Sequence, residues 1–569
     1  MRGRKVTETP SPERPPLSLS VGPAPTPPRE RVPFERIAVG LILLTALAVR
    51  LVGIARGLPY IHEWDEPYVV TYVIGMVQRG DLDPKAFSYP SLYFYILLPV
   101  TYLYYFYLHL SGHAASPFAI QLFHPQAPIS HLPPTLPYWW YINEPSFYLW
   151  ARIVTTLLAT AAVFLVYRLG RATFGIGVGL LAAALLAVAP GFVYYADTVR
   201  VDVPMVFFLC AAVLAGLRVL EGGTPRDYLI AGALGGLAMS TKQAAFVIVI
   251  AFVTAHALNP RRRRFDLRPL VTLGAGVAGG FVAGTPRILV TPRYLVDVWA
   301  SEGRAYGGVP TLASLKVGAA QNLLYFVHPM QGGSQNPEWY VTPHAAFGLI
   351  PASAAVLGLI VASVRKPRLA LYLGSFMVPY FCLMASQRNF FLRSMIPLLP
   401  FAAVFAAVGT TWIGEQCRRT RALRGGLSAT VAATLGILIL LAEPTDRAVH
   451  LAWLLRHDED TRTEAVAWVR AHARPGEVVA FDANLRWFLP ALRDLPVEVV
   501  YTTPDRDLAW CRANGVNLAV VGRLSRLADA SLVTRIARPA YLDGGGDESG
   551  NDGDLVISPT IRIVSVSGR

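Results

Sequence analysis

The acidic pair Asp65–Glu66 lies in "IHEWDEPYVV", residues 61–70, directly after the first long apolar run of the chain. A carboxylate where membrane gives way to water can abstract a proton from a hydroxyl, and a positioned base typically contributes about 10²–10⁴-fold to such a step. Other charges interrupt the apolar sequence: Asp197, Arg200 and Asp202 in "YYADTVRVDVP", Lys242 in "MSTKQAA", and Arg388 and Arg393 in "SQRNFFLRSMIP". Cations at that depth can hold a phosphate whose lipid tail lies in the bilayer, where scarce water strengthens their effect. Carboxylates and cations together are the parts needed to move a group from a lipid-linked phosphate to a hydroxyl. Singly, most have a plainer reading. Arg50 can snorkel, and Arg200 can pair with Asp202. Lys242 stands apart because a charge at membrane depth costs about 2.5–3.5 kcal/mol on insertion scales.

These residues depend on membrane elements to position them. The 569 residues are 53% hydrophobic and only 15% charged, against about 25% charged in soluble domains. Apolar runs long enough to cross lie near 37–55, 146–167, 175–196, 203–220, 270–290, 344–364, 369–386, 394–413 and 426–442. The segment 89–110 is crowded with Tyr and Phe, which favour the headgroup level, and carries Pro90 and Pro99. The run 228–258 is split by Lys242 into two short halves.

Parity decides both segments. If 89–110 stays at the interface and 228–258 crosses twice, the basic clusters at 168–171, 218–226, 261–268, 365–368 and 418–424 all fall on the side of the basic N-terminus. The positive-inside rule then makes that side cytoplasmic. The expectation is a polytopic α-helical membrane protein with about 11 crossings. Residues 1–36, with nine prolines and seven Lys or Arg, read as a disordered cytoplasmic tail. Residues 37–442 read as the membrane domain, with outer loops 56–145 and 291–343. The net charge of +14 is accounted for by cytoplasmic loops and does not imply nucleic acid. The outer loop 291–343 adds Arg293, Asp297, Glu302, Arg304, His328 and Glu338.

Residues 443–569 change character. "TRTEAVAWVRAHA" reads as an amphipathic helix, "GEVVAFD", "VEVVYTT" and "VNLAVVG" as strands, and "DLAWCRANG" as a helix between them. The alternation predicts a small extracytoplasmic α/β domain. The acidic loop 543–554 matches no calcium-loop spacing, and the four cysteines are too scattered for a disulfide framework. His109, His113, His124 and His131 fit no standard zinc spacing.

The order of motifs resembles bacterial members of glycosyltransferase family 39, of the GT-C fold. It runs from a basic residue ending the first crossing to "WDEPY", "RGDLDPKAFSYPSLYFYIL", "ARI", "VRVDVPM", "MSTKQAA" and "TRTEAVAWVR…PGEVV", over roughly residues 37–500. Relatives include protein O-mannosyltransferases and lipid A aminoarabinose transferases. The resemblance implies an inverting sugar transfer from a polyprenyl-phosphate donor to an acceptor hydroxyl on protein, glycolipid or glycan. It matches Asp65 to the catalytic base and Glu66 to its neighbour, and sets Asp202 at a second acidic position. It assigns Arg152, Lys242, Arg388 and Arg393 to the donor phosphate. The "DLD" string, 81–83, could bind a divalent metal, but it falls in the family's "GD-x-x-P" turn. No cofactor or obligatory metal is therefore expected.

The competing reading is a polytopic transporter or lipid flippase, which would place its site near the midplane at a repeat interface. No internal repeat is visible. The cell membrane is the expected location, with the carboxylates facing outward. In a variant without native cysteines, Asp65→Cys should react with a membrane-impermeant thiol reagent added to intact cells. Reaction only after the cytosolic side is opened would invert the topology.

Overall fold

The computed structural model describes residues 31–59, 65–86, 88–120, 144–261, 266–306, 311–328, 345–387, 391–419, 426–457, 460–482, 495–503, 505–522, 531–536 and 561–566, with a few isolated residues besides. Helix α1 (Arg31–Leu51) leads to α2 (Asp65–Arg79) and the aromatic α3 (Leu92–Leu110). Next come α4 (Ser146–Phe174), α5 (Ile176–Ala187), α6 (Pro190–Ala196), α7 (Asp202–Leu220) and α8 (Pro225–Thr241). A 3-10 turn, Gln243–Val247, joins α8 to α9 (Ile248–Ala257), and α10 (Arg268–Gly284) follows. Helices α11 (Arg293–Ala305) and α12 (Leu312–Val327) precede α13 (Leu349–Arg365), α14 (Pro367–Ala385), α15 (Leu399–Arg419) and α16 (Gly426–His457).

Among the described residues, four helical runs are long and apolar enough to cross a membrane: α4, α7, α14 and Arg393–Arg419. The pair α5 and α6, bent by 58°, makes a fifth when taken as one broken span. Several other expected runs are shortened by breaks. Residues 228–258 divide at Lys242, and 270–290 divides where α10 ends at Gly284 before Thr285 and Pro286. Each resulting helix falls below the roughly 20 residues of an ideal span. The aromatic segment is a continuous helix with Tyr102, Phe106 and Tyr107 exposed. The boundary expected at 442/443 falls inside α16, which runs unbroken to His457.

The break between α5 and α6 leaves helix-end carbonyls without intrahelical partners. Arg50, buried near the end of α1, donates Nη1 to the Ala187 carbonyl at 2.9 Å and to Ala46 at 2.8 Å. Its guanidinium lies 5.1 Å from the Phe192 ring centre. The arginine read as a snorkelling candidate therefore ties the first helix to a broken one.

Helices α8 and α10 pack on a ladder of small residues. Gly232 faces Leu273 and Val277, Gly236 faces Val277 and Phe281, and Gly284 faces Ser240. Both sequences advance together along this ladder, so the two helices run parallel. The intervening α9 must then return between them, which is the geometry needed for 228–258 to form an out-and-back pair. Small residues let backbones approach in a membrane, where packing rather than hydrophobicity drives association.

The C-terminal part is a five-stranded sheet. Its strands are β1 (Val478–Asp482), β2 (Glu498–Thr502), β3 (Leu518–Gly522), β4 (Ser531–Ile536) and β5 (Ile561–Ser565). In the spatial order β2-β1-β3-β5-β4, the first three are parallel and β5 runs antiparallel to both neighbours. Helix α17 (Thr461–His472) packs Ala465, Val466 and Val469 against Val479, Phe481 and Ile563 on one face. Helix α18 (Leu508–Ala513) sets Cys511 against Ala480, Ala519 and Val564 on the other. The period-two alternation of the strands accounts for the two cores. Strands β4 and β5 were not anticipated from the sequence. The loop 543–554 and most of the N-terminal tail lie outside the described residues.

A side chain at Gly236 would overlap the Val277 carbonyl. Gly236→Leu should abolish recovery of folded protein, measured by monodispersity after detergent extraction. Gly274→Leu, on the same helix pair but in open space, should leave it unchanged.

Candidate active site

The charges singled out in the sequence converge because two helices begin with acids. Asp65 and Glu66 open α2, and Asp202 opens α7. A helix N-terminus carries partial positive charge and favours carboxylates there. Asp65 and Glu66 are adjacent, so their side chains leave α2 in different directions and take different partners.

Glu66 is fully buried and accepts both Nε (2.8 Å) and Nη2 (2.7 Å) of Arg152 in α4. The amide of Val199 donates to the same carboxylate at 3.0 Å. Arg152 extends the tie through Nη1 to the carbonyls of Ile54 (2.9 Å) and Arg56 (2.8 Å). One bidentate pair thus joins the exit of α1, the start of α2, α4 and the 197–201 link. Arg152, expected at the donor phosphate, has its Nε, Nη1 and Nη2 engaged inside the protein. Arg56 lies 3.7 Å from Asp197 on the same link.

Above this clamp runs a row of alternating charge. Arg200 Nη1 meets Asp65 Oδ2 at 2.6 Å, and Arg393 Nη2 lies 3.4 Å from the same oxygen. Arg393 Nε lies 3.8 Å from Asp202 Oδ2, and Lys242 Nζ donates to Asp202 Oδ1 at 2.9 Å. The row reads Arg200, Asp65, Arg393, Asp202, Lys242, three cations to two carboxylates. Exposure is uneven. The side chains of Asp65 and Arg393 are 18% and 13% exposed, whereas Arg200, Asp202 and Lys242 are 2–4% exposed. Asp65 and Arg393 are thus the members open to an incoming molecule. Arg393 is also held by the longer contacts, at 3.4 and 3.8 Å, and its guanidinium stacks 4.4 Å above the Phe391 ring.

The two breaks in the fold place the cations. Lys242 caps the end of α8, where the chain turns extended before the 3-10 turn. Arg393 sits in the 3-10 segment Leu392–Leu398 before α15. Asp65, Asp202, Lys242 and Arg393, singled out in the sequence, therefore meet. Glu66 and Arg152 meet each other beneath them. Arg388 lies outside the described residues, as do His62, Glu63, His124, His131 and Glu338.

Sequence reasoning passed over Tyr89 and Tyr306. Tyr89 stands within electrostatic reach of Asp65, Arg393, Lys242 and Asp202, and burial pushes its hydroxyl above the usual range. Tyr306 lies with its ring centre 5.9 Å from Lys242 Nζ and shares a 2.8 Å hydrogen bond with Ser394. Tyr89 lies in the "SYPSL" string, where its aromatic character in the sequence signals only an interfacial position.

The acidic string at 81–83 is engaged elsewhere. Asp81 takes Arg79 Nε at 3.0 Å, which with its hydrogen bonds holds its carboxyl below the usual range. Asp83 pairs with Arg287. His109 Nδ1 bonds the Ala114 carbonyl and His113 Nδ1 the Ser111 hydroxyl, both local contacts. Among the described residues, no three His, Cys, Asp or Glu side chains converge as a metal site.

Comparison with known proteins bears on this arrangement. The Bacillus subtilis protein YycA, named for an inferred mannosyltransferase activity, is 35% identical over 114 residues. That match spans 20% of this chain and only 17% of YycA. The archaeal oligosaccharyltransferase AglB from Archaeoglobus fulgidus, solved with an inhibitory peptide and a dolichol-phosphate, superposes with a TM-score of 0.51 at 12% identity. The superposition covers 86% of this chain and 69% of AglB, so the two share a GT-C membrane fold. ArnT from Cupriavidus metallidurans, solved with undecaprenyl phosphate, gives a TM-score of 0.49 at 14% identity over 93% of this chain and 98% of ArnT. Residues 148–286, which include the "ARI", "VRVDVPM" and "MSTKQAA" motifs, match the model of the dolichyl-phosphate-mannose-protein mannosyltransferase family.

Proposed function

We propose that this protein is an integral membrane glycosyltransferase that moves a sugar from a polyprenyl-phosphate donor to an acceptor hydroxyl on the extracytoplasmic face, with inversion. The observation that carries this reading is the exposure of Asp65 and Arg393 in an otherwise buried row of charges. A base and a phosphate-binding cation, 3.4 Å apart, are offered together at the ends of the helices. The name of the matching family, which couples a lipid phosphate sugar to a protein acceptor, agrees with that pairing.

The donor phosphate approaches Arg393 and Lys242, whose charges offset its own where water is scarce. As Arg393 turns to the phosphate it loosens its long contact with Asp65. Asp65, still oriented by Arg200, accepts the proton of the acceptor hydroxyl. The acceptor oxygen then attacks the anomeric carbon from the side opposite the phosphate, which inverts it. Asp202 holds Lys242 and Arg393 in place between turnovers. Glu66 and Arg152 act beneath as the clamp that orients α2. The cationic side chains, rather than a resident metal, carry the phosphate charge in this scheme.

The topology belongs to the same proposal: about eleven crossings, the site at the outer rim, and the α/β domain outside near the acceptor. The parallel run of α8 and α10 supports the out-and-back passage at 228–258.

Asp65→Asn should fold normally and lower transfer from polyprenyl-phosphate sugars by about 10²–10⁴-fold. Near-normal turnover in well-folded protein would remove Asp65 as the base. Glu66→Gln should act earlier. It leaves Arg152 buried without its charge partner, at a cost of about 3–5 kcal/mol, and should lower the yield and thermal midpoint of folded protein. A Glu66→Gln protein of wild-type stability that had lost only turnover would move Glu66 into the chemistry.

A further inference from the structure

Helix α11 packs one face against the segments that carry Ser88, Tyr89 and Gln243. Tyr294 and Val298 are 0% and 1% exposed, and Glu302 follows at the same four-residue spacing. The helix is fixed by its neighbours. Tyr294 donates its hydroxyl to the Tyr89 carbonyl at 2.7 Å, Gln243 donates to the Val298 carbonyl at 3.4 Å, and Ser301 meets Ser88 at 3.2 Å. A glutamate has therefore been turned inward on a held helix, over the site.

Glu302 is half-buried as a residue, but its Oε1 is shielded from solvent and has no hydrogen-bond partner among the described residues, while Gln243 hydrogen-bonds the carboxylate. The groups that face it come from several elements. They are Asp202 at the start of α7, Lys242 and Gln243 after α8, Arg393 before α15, Tyr380 in α14, and Tyr306 beyond its own helix. Removing a carboxylate from water is unfavourable to its ionised form, because desolvation penalises the charge. Burial pushes the Glu302 carboxyl up to about 7, with Lys242 opposing the rise and Asp202 adding to it. At neutral pH a large share of the group is the neutral acid, a hydrogen-bond donor among phosphate-binding cations.

We propose that Glu302, as the neutral acid, hydrogen-bonds the lipid phosphate and gives it a proton as the sugar leaves. This deepens the transferase reading and rests on it. The acceptor proton goes to Asp65 and the new bond forms from the acceptor oxygen to the anomeric carbon. The bond from that carbon to the phosphate oxygen breaks, and its electron pair stays on the oxygen, which takes the Glu302 proton. Asp65 is left protonated and Glu302 ionised. Release of one proton to solvent and uptake of another restore both.

The test uses the full-length protein in detergent and decaprenyl phosphate as the probe, with binding measured calorimetrically from pH 6.5 to 8.5 in buffers of different ionisation heat. An acid that must be protonated to bind makes affinity fall as pH rises above its free value, by about tenfold per pH unit. The wild type should show that slope in excess of Glu302→Gln, and should take up close to one more proton on binding at pH 8. Affinities at pH 6.5 should agree within about threefold, because the glutamine amide also donates. A second arm needs no variant. The methyl ester of decaprenyl phosphate does not itself titrate near neutrality, so its wild-type affinity should still fall above pH 7. Equal slopes in wild type and variant, or a flat diester profile, would overturn the role of Glu302 while leaving the transferase reading intact. Failure of the wild type to bind either lipid at any pH would overturn both.

Discussion

The site depends on the ion pair between Glu66 and Arg152. It is buried, bidentate and extended by backbone groups at Ile54, Arg56 and Val199. Burying two charges is expensive, and mutual attraction alone rarely recovers the cost unless the remaining donors are satisfied. Here they are satisfied by carbonyls that the end of the first membrane helix exposes. The same contacts that stabilise the pair therefore locate the start of α2, and hence Asp65, against the link that carries Arg200. Adjacent acids divide the labour: one anchors and the other faces outward.

Breaks in the membrane helices supply the cations. A lysine inside a continuous apolar helix would meet lipid. At the end of α8, with the chain turned extended, Lys242 instead reaches Asp202 and the ring of Tyr306. Arg50 uses the break between α5 and α6 in a complementary way, satisfying carbonyls rather than binding a ligand. The charges of the site lie at helix ends and short links rather than within continuous helices.

Much of this was legible in the sequence because charges are rare in an apolar chain. Asp65, Asp202, Lys242 and Arg393 stood out against their surroundings, and the α/β domain announced its first three strands through alternation. What escaped notice had a different physical cause. Glu302 is named in the sequence as one of several charges in 291–343, and nothing in composition sets it apart from them; only its helical spacing from Tyr294 and Val298 shows that it points inward. The partner of Arg152 is 86 residues away, and residue type alone could not say that the arginine meets Glu66. The continuation of α16 past residue 442 also defied the reading, because a helix persists where its hydropathy ends. Strands β4 and β5 are joined in register only through long-range pairing.

The central claim is that a lipid phosphate opens the row of charges by drawing Arg393 away from Asp65. Cryo-electron microscopy of the full-length protein with decaprenyl phosphate tests it most directly. The account predicts phosphate oxygens within hydrogen-bond distance of Arg393 and Lys242, Asp65 still paired to Arg200, and a longer Arg393–Asp65 separation than in the unliganded protein. A phosphate bound elsewhere, with the five-residue row intact, would contradict it.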